Sequence, residues 1–129
     1  MLKKLLVACF VVLGFFAIAG NVKAQEMYFC ESVSSDGYPN GESSVFNISS
    51  NGGYLDVLVK IPYNLNCSSV RFEIYRNGDY DNTIYLDSKN DWVWFYKQIT
   101  FYKSGTYQIY CIDCNEATLA SGTLTIQFN

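Results

Sequence analysis

The sequence runs to 129 residues with a formal net charge of −3, 11 tyrosines and no histidine. Such a length is one domain's worth, and the missing histidine removes the commonest general base together with the commonest metal ligand. The acidic balance leaves no basic patch to release phosphate counterions, which excludes nucleic acid as a partner.

The chain opens on a segment unlike the rest. Lys3 and Lys4 follow Met1, and Leu5 to Ala19 is apolar apart from Gly14. Gly20 and Asn21 break the run, and Val22-Lys23-Ala24 puts short residues where a signal peptidase reads. This is the layout of a secretory signal peptide. The run falls short of the roughly 20 apolar residues of a membrane span. Cleavage is expected after Ala24, so residues 1–24 are the leader and residues 25–129 the domain, beginning at Gln25. Leu6-Val7-Ala8-Cys9 resembles a bacterial lipoprotein box, but it lies too near Met1 and the apolar run continues past it. The expected location is secreted, periplasmic or at the cell surface, with no membrane span after cleavage, and the short Lys-led leader suits a bacterium. Loss of Lys3, Lys4 and Lys23 leaves six basic residues against 12 acidic ones, a net charge of −6. A domain so charged is expected to be soluble and monomeric or weakly associating.

Beyond the leader, apolar residues recur every second position and no stretch keeps a helical period. A first strand is expected near Met27–Glu31, then a loop marked by Asp36-Gly37 and Pro39-Asn40-Gly41. A short strand at Val45–Ile48 is followed by Asn51-Gly52-Gly53 and a long strand from Tyr54. In that strand Leu55, Val57, Val59 and Ile61 alternate with Tyr54, Asp56, Leu58 and Lys60. Val70, Phe72 and Ile74 alternate with Arg71, Glu73 and Tyr75, and Asn77-Gly78 then signals a two-residue hairpin. Further turns are expected at Lys89-Asn90-Asp91, Lys103-Ser104-Gly105 and Asp113-Cys114-Asn115-Glu116. Tyr107, Ile109 and Cys111, then Leu124, Ile126 and Phe128, supply the last two apolar faces. About eight short strands at this spacing predict an all-β antiparallel sandwich in one domain.

The stretch Phe101-Tyr102-Lys103-Ser104-Gly105-Thr106-Tyr107-Gln108-Ile109-Tyr110 resembles the entry to the penultimate strand of immunoglobulin-like and fibronectin-like domains. The closing run Leu119-Ala120-Ser121-Gly122-Thr123-Leu124-Thr125-Ile126 resembles the last strand of such modules in secreted bacterial proteins, particularly those of Bacteroidetes. The resemblance covers residues 92–128 well and the remainder loosely. It implies that Tyr107 is the corner tyrosine, whose hydroxyl bonds back to the upstream turn. It transfers a fold and no activity. Ile109 stands where an antibody domain carries cysteine, so the standard bridge between sheets is not expected.

Four cysteines remain after the leader, Cys30, Cys67, Cys111 and Cys114, and an even number in a small exported domain favours disulfides. In an immunoglobulin-like sandwich the loops holding Cys67 and Cys114 lie at one end, which implies a Cys67–Cys114 clasp. Cys30 and Cys111 are then left to pair with each other or stay reduced. If Phe29 faces the core, Cys30 faces away from it. The Cys111-Ile112-Asp113-Cys114 spacing also has a redox reading, but that chemistry needs a helix start to lower the thiol pKa. Zinc frames usually show two such knuckles, and only one exists here.

Trp92-Val93-Trp94-Phe95-Tyr96 is the most unusual segment. On a regular strand Trp92, Trp94 and Tyr96 form a stripe opposite Val93, Phe95, Ile99 and Phe101. An exposed stripe is a candidate binding platform, since sugars stack on such rings and protein partners use them as anchors. The alternative is that one tryptophan plugs the core and the strand is re-aimed. The oxygen-rich Asn77 to Asn82 lacks the register of a calcium loop. Paired acids such as Asp79 and Asp81, or Asp87 and Asp91, fall in turns, and no Ser–His or Cys–His pair is possible. The expectation is therefore an exported binding or accessory module acting by protein or surface contact, without catalysis, cofactor or metal. Its partner is an unknown protein or a glycan. A carbohydrate-binding module using the aromatic stripe is the second reading.

Overall fold

A computed structural model describes residues 26–129. The expected leader and its cleavage point lie outside the described residues. Among the described residues ten strands follow one another without a helix: β1 (Glu26–Cys30), β2 (Ser32–Val33), β3 (Pro39–Asn40), β4 (Val45–Ile48), β5 (Gly53–Lys60), β6 (Ser69–Arg76), β7 (Asp79–Asp87), β8 (Trp94–Phe101), β9 (Gly105–Ile112) and β10 (Thr118–Phe128). Seven of them, β1, β4, β5, β6, β8, β9 and β10, overlap runs expected to be strands, and β7 is the partner that the Asn77-Gly78 hairpin signal calls for; Asp79, Asp81 and Asp87, expected in turns, lie within it because the two-residue turn lets pairing resume at once. The other two, β2 and β3, form a small hairpin inside the stretch expected to be a loop.

The strands build an immunoglobulin-like sandwich of two unequal sheets. One has the order β1-β5-β8 and the other β4-β10-β9-β6-β7. Every pair is antiparallel except β4 with β10, which is parallel. The period-2 reading sets the faces. Leu55, Val57 and Val59 of β5 meet Val70, Phe72 and Ile74 of β6, Ile109 of β9 and Leu124 and Ile126 of β10 in one buried core. Phe29 also enters this core, so its neighbour Cys30 points to the opposite face of its sheet.

Local chemistry fixes the turns. Asn77 and Gly78 both have positive φ, 51° and 91°, as a type I′ hairpin requires. At the same end of that sheet, where Arg76 pairs with Tyr107, the Tyr107 hydroxyl donates to Lys103 O at 2.7 Å, and Arg76 Nε donates to Ser104 O at 2.9 Å. The Tyr107 ring meets Phe101 edge-on at 4.8 Å. Tyr107→Phe should keep that ring contact and lose the corner bond, lowering stability by about 1 kcal/mol in urea denaturation. An unchanged midpoint would show that the corner bond contributes nothing.

The outer face of the three-stranded sheet is not the solvated surface that alternation predicts. Leu58 is 0% exposed and Asp56 is 8% exposed, although both lie on the side away from the core. The β2–β3 hairpin folds back over this face. Gly37, at φ +84°, sits so close to Trp94 that a Cβ there would fall 2.6 Å from the indole. Lys60 Nζ stands 4.6 Å from the centre of the Tyr38 ring, a cation–π contact that ties hairpin to sheet.

Burial beneath this hairpin raises the pKa of Asp56 above its ordinary 3.8, and its carboxylate has no hydrogen-bond partner among the described residues. A raised carboxyl pKa means that the folded state holds the proton more tightly than the unfolded chain. The resulting stabilisation is complete below the unfolded pKa and is lost as pH rises through the folded one. Asp56→Asn should therefore be more stable than the parent at pH 7, with the difference shrinking as pH falls towards 3.8. Parallel stability curves for the two proteins from pH 3 to pH 7 would refute this.

Candidate functional site

Four strands form the sheet margins: β1 and β8 in one sheet, β4 and β7 in the other. The β7–β8 side is open, because the smaller sheet stops at β8 while the larger continues to β7. Ile84 and Leu86 of β7 share the inner face with Phe72 and Val70, yet they are only partly covered. β8 pairs with β5 along eight residues and has no partner on its other edge among the described residues.

Two hollows lie along that edge. One, of about 570 Å³, is lined by Lys89, Asp91, Trp92, Trp94 and Tyr96 among others. Because it touches every residue from Trp92 to Tyr96, both strand faces contribute, which places the hollow beside the strand. The second, of about 180 Å³, lies between Ile84 and Asp81 of β7, Ile99 and Phe101 of β8, and Lys103 in the following turn.

The segment before β8 is held by backbone bonds. Ile61 N donates to Val93 O at 2.9 Å, Leu65 N to Trp92 O at 2.8 Å and Asn66 N to Asn90 O at 2.9 Å. These bonds keep Trp92 in the connection, ahead of the strand. Trp92 therefore does not join Trp94 and Tyr96 on the outer face. It packs against the core and stacks on Phe95 at 5.9 Å, so the tryptophan that plugs the core is Trp92. Trp94 is half-buried under Gly37 of the hairpin, and Tyr96 is 44% exposed. Val93, expected on the inner face, is exposed. The three rings surround a concavity instead of forming a flat ledge.

The cysteines divide in two. Cys67 and Cys114 form a disulfide with Cα atoms 5.7 Å apart, joining the β5–β6 loop to the β9–β10 turn. Cys30 and Cys111 are reduced and buried. Cys111 lies in the core between the sheets, whereas Cys30 lies on the outer face under the hairpin, so a sheet separates them and they cannot pair. Burial pushes the Cys30 thiol up to about 11 and the Cys111 thiol to about 12, which keeps both protonated at neutral pH. Among the described residues no group of three or more Cys, Asp or Glu side chains is placed to hold a metal ion.

A second aromatic surface escaped the sequence reading. Tyr75 meets Tyr80 and Tyr110 edge-to-face, each at 5.8 Å, on the outer face of the five-stranded sheet. Beside them Arg71 bonds Glu116 through both terminal nitrogens and Glu73 through Nε, holding the Glu116 carboxyl below its usual pKa. The signal was present in the sequence for two of them: Tyr75 and Tyr110 occupy positions that alternation assigns to the polar side.

No family model matches the chain. No curated protein matches it. Among solved structures, it is similar to the CARDB domain of a Pyrococcus furiosus protein, crystallised in complex with di-metal ions. The identity is 15% and the TM-score 0.41, over 82% of this chain and 93% of that chain. The similarity is one of fold alone.

Proposed function

We propose that this is an exported, non-catalytic binding module that acts by contact, and that it docks a protein partner along the β8 margin. The observation that carries this reading is an eight-residue strand edge with no partner among the described residues, set beside a concavity rimmed by Trp94 and Tyr96. An unpaired edge offers main-chain donors and acceptors, and flanking hollows take alternate side chains. Half-buried rings are good anchors because little side-chain entropy remains to be lost on docking. The Cys67–Cys114 clasp suits an oxidising compartment outside the cytosol.

Panning a library of displayed peptides and small domains against the full chain tests this reading. Binders selected on the parent should lose at least tenfold in affinity on Tyr96→Arg. Recovery of binders indifferent to that change would remove the β8 margin as the docking site.

The second reading is a glycan in the same concavity, favoured by its volume of about 570 Å³, which is within the range of small-ligand sites. It ranks second because only Tyr96 of the three rings stands exposed. A glycan array should then show a ligand that is lost on Trp94→Ala, and a blank array would end it.

A further inference from the structure

Six basic residues occur among those described, and three are already engaged. Arg71 pairs with Glu73 and Glu116, Arg76 donates to Ser104 O, and Lys60 lies over Tyr38. The other three are Lys89, Lys97 and Lys103, and none has an ion-pair partner among the described residues. All three lie on the open β7–β8 side. Lys89 lines the larger hollow and Lys103 the smaller. Lys97 sits midway along β8.

The position of Lys97 is the informative one. It shares the inner face of β8 with Phe95 and Ile99, which are 3% and 2% exposed, and pairs across the sheet with Val57. An inward-facing charge in the middle of an edge strand blocks indiscriminate pairing, because an incoming strand must bury it. A second copy of this chain fares badly. Two-fold pairing centred on Lys97 sets the ammonium against its own equivalent, and pairing centred on Gln98 sets it against Ile99. A strand that places a carboxylate opposite Lys97 turns the obstacle into a cross-strand ion pair. Asp91 and Asp81 line the two hollows, so acidic residues at the ends of such a strand gain less than one at its centre.

We infer that the β8 edge accepts an extended peptide as a fourth strand of the smaller sheet, and that it selects one with a central acidic residue flanked by apolar residues two positions away on each side. The flanking residues pack beside Phe95 and Ile99 and cover Ile84 and Leu86 of β7. The carboxylate meets Lys97. This rests on the reading of the β8 margin as the docking site and adds the chemistry of the partner.

The test uses the full chain and three labelled nine-residue probes with blocked ends, alternating valine and threonine. The first has glutamate at the centre, the second lysine, and the third a central glutamate with prolines on either side. Fluorescence anisotropy at low salt should show the glutamate probe binding at least tenfold more tightly than the lysine probe, weakening as salt rises. The proline probe should not bind, because it cannot complete the main-chain ladder. Lys97→Glu should reverse the preference between the first two. Amide exchange should slow in residues 94–101 when the glutamate probe is bound.

Equal binding of the glutamate and lysine probes, or no change in preference on Lys97→Glu, would overturn the inference. So would protection confined to β4 or β7, or concentration-dependent dimerisation that protects β8 without any peptide. If panning still yields binders sensitive to Tyr96→Arg, the docking site stands and only the acidic-strand inference falls. If no binder senses that change, both fall.

Discussion

Replacing Cys67 and Cys114 together by serine is expected to lower the unfolding free energy by about 4 kcal/mol, the chain-entropy value for a bridge of this span. The bonded residues are 47 apart in sequence, and the bridge removes that loop's freedom from the unfolded chain. For a domain of this size the loss corresponds to a fall in melting temperature of roughly 20 °C. The clasp also holds the end of the sandwich where the β8 margin begins. Ser88 N donates to Ser68 O, and Ser88 Oγ to Cys67 O at 2.7 Å, so the β7–β8 connection is tied to the bridged loop. Thermal and denaturant unfolding of the double variant measure the effect. A change under about 1 kcal/mol would show that these hydrogen bonds, not the bridge, close the end.

Leu58→Ala is expected to cost about 3 kcal/mol, as much as the same change at a residue of the main core. This result separates two pictures of the outer face. On alternation alone Leu58 lies with Asp56 and Lys60 on a solvated side, where truncation costs a few tenths of a kcal/mol. In the structure it is fully enclosed between its sheet and the β2–β3 hairpin. The same substitution at Leu55, which is 1% exposed in the main core, is the reference measurement. A Leu58→Ala loss below about 0.5 kcal/mol would mean that the hairpin does not cover the face in solution.

The frame of the fold was legible because each strand buries one side only. Val70, Phe72 and Ile74, or Leu124 and Ile126, announce a core face by their spacing, and Asn77-Gly78 announces the turn that joins two strands. The hairpin was not legible. Its strands hold two residues each, too few to show a period, and its purpose appears only when the sheet it covers is known. Leu58 was misassigned for the same reason, since period 2 assigns a residue to a face and cannot say whether another layer lies above. The aromatic run was half legible. Its composition pointed to a special place, but strand β8 begins at Trp94, and the bonds from Ile61, Leu65 and Asn66 that hold Trp92 ahead of it are tertiary. Lys97 carries no sequence signal, because its significance lies in belonging to an edge strand.

The parallel pairing of β4 with β10 has a consequence for biosynthesis. Val45 lies opposite Thr125 and Ile48 opposite Phe128, so a strand made early on the ribosome waits for the final one before its main chain is satisfied. β6 and β7 can zip together as soon as both emerge, whereas β4 has no neighbour in its sheet until β10 has been made.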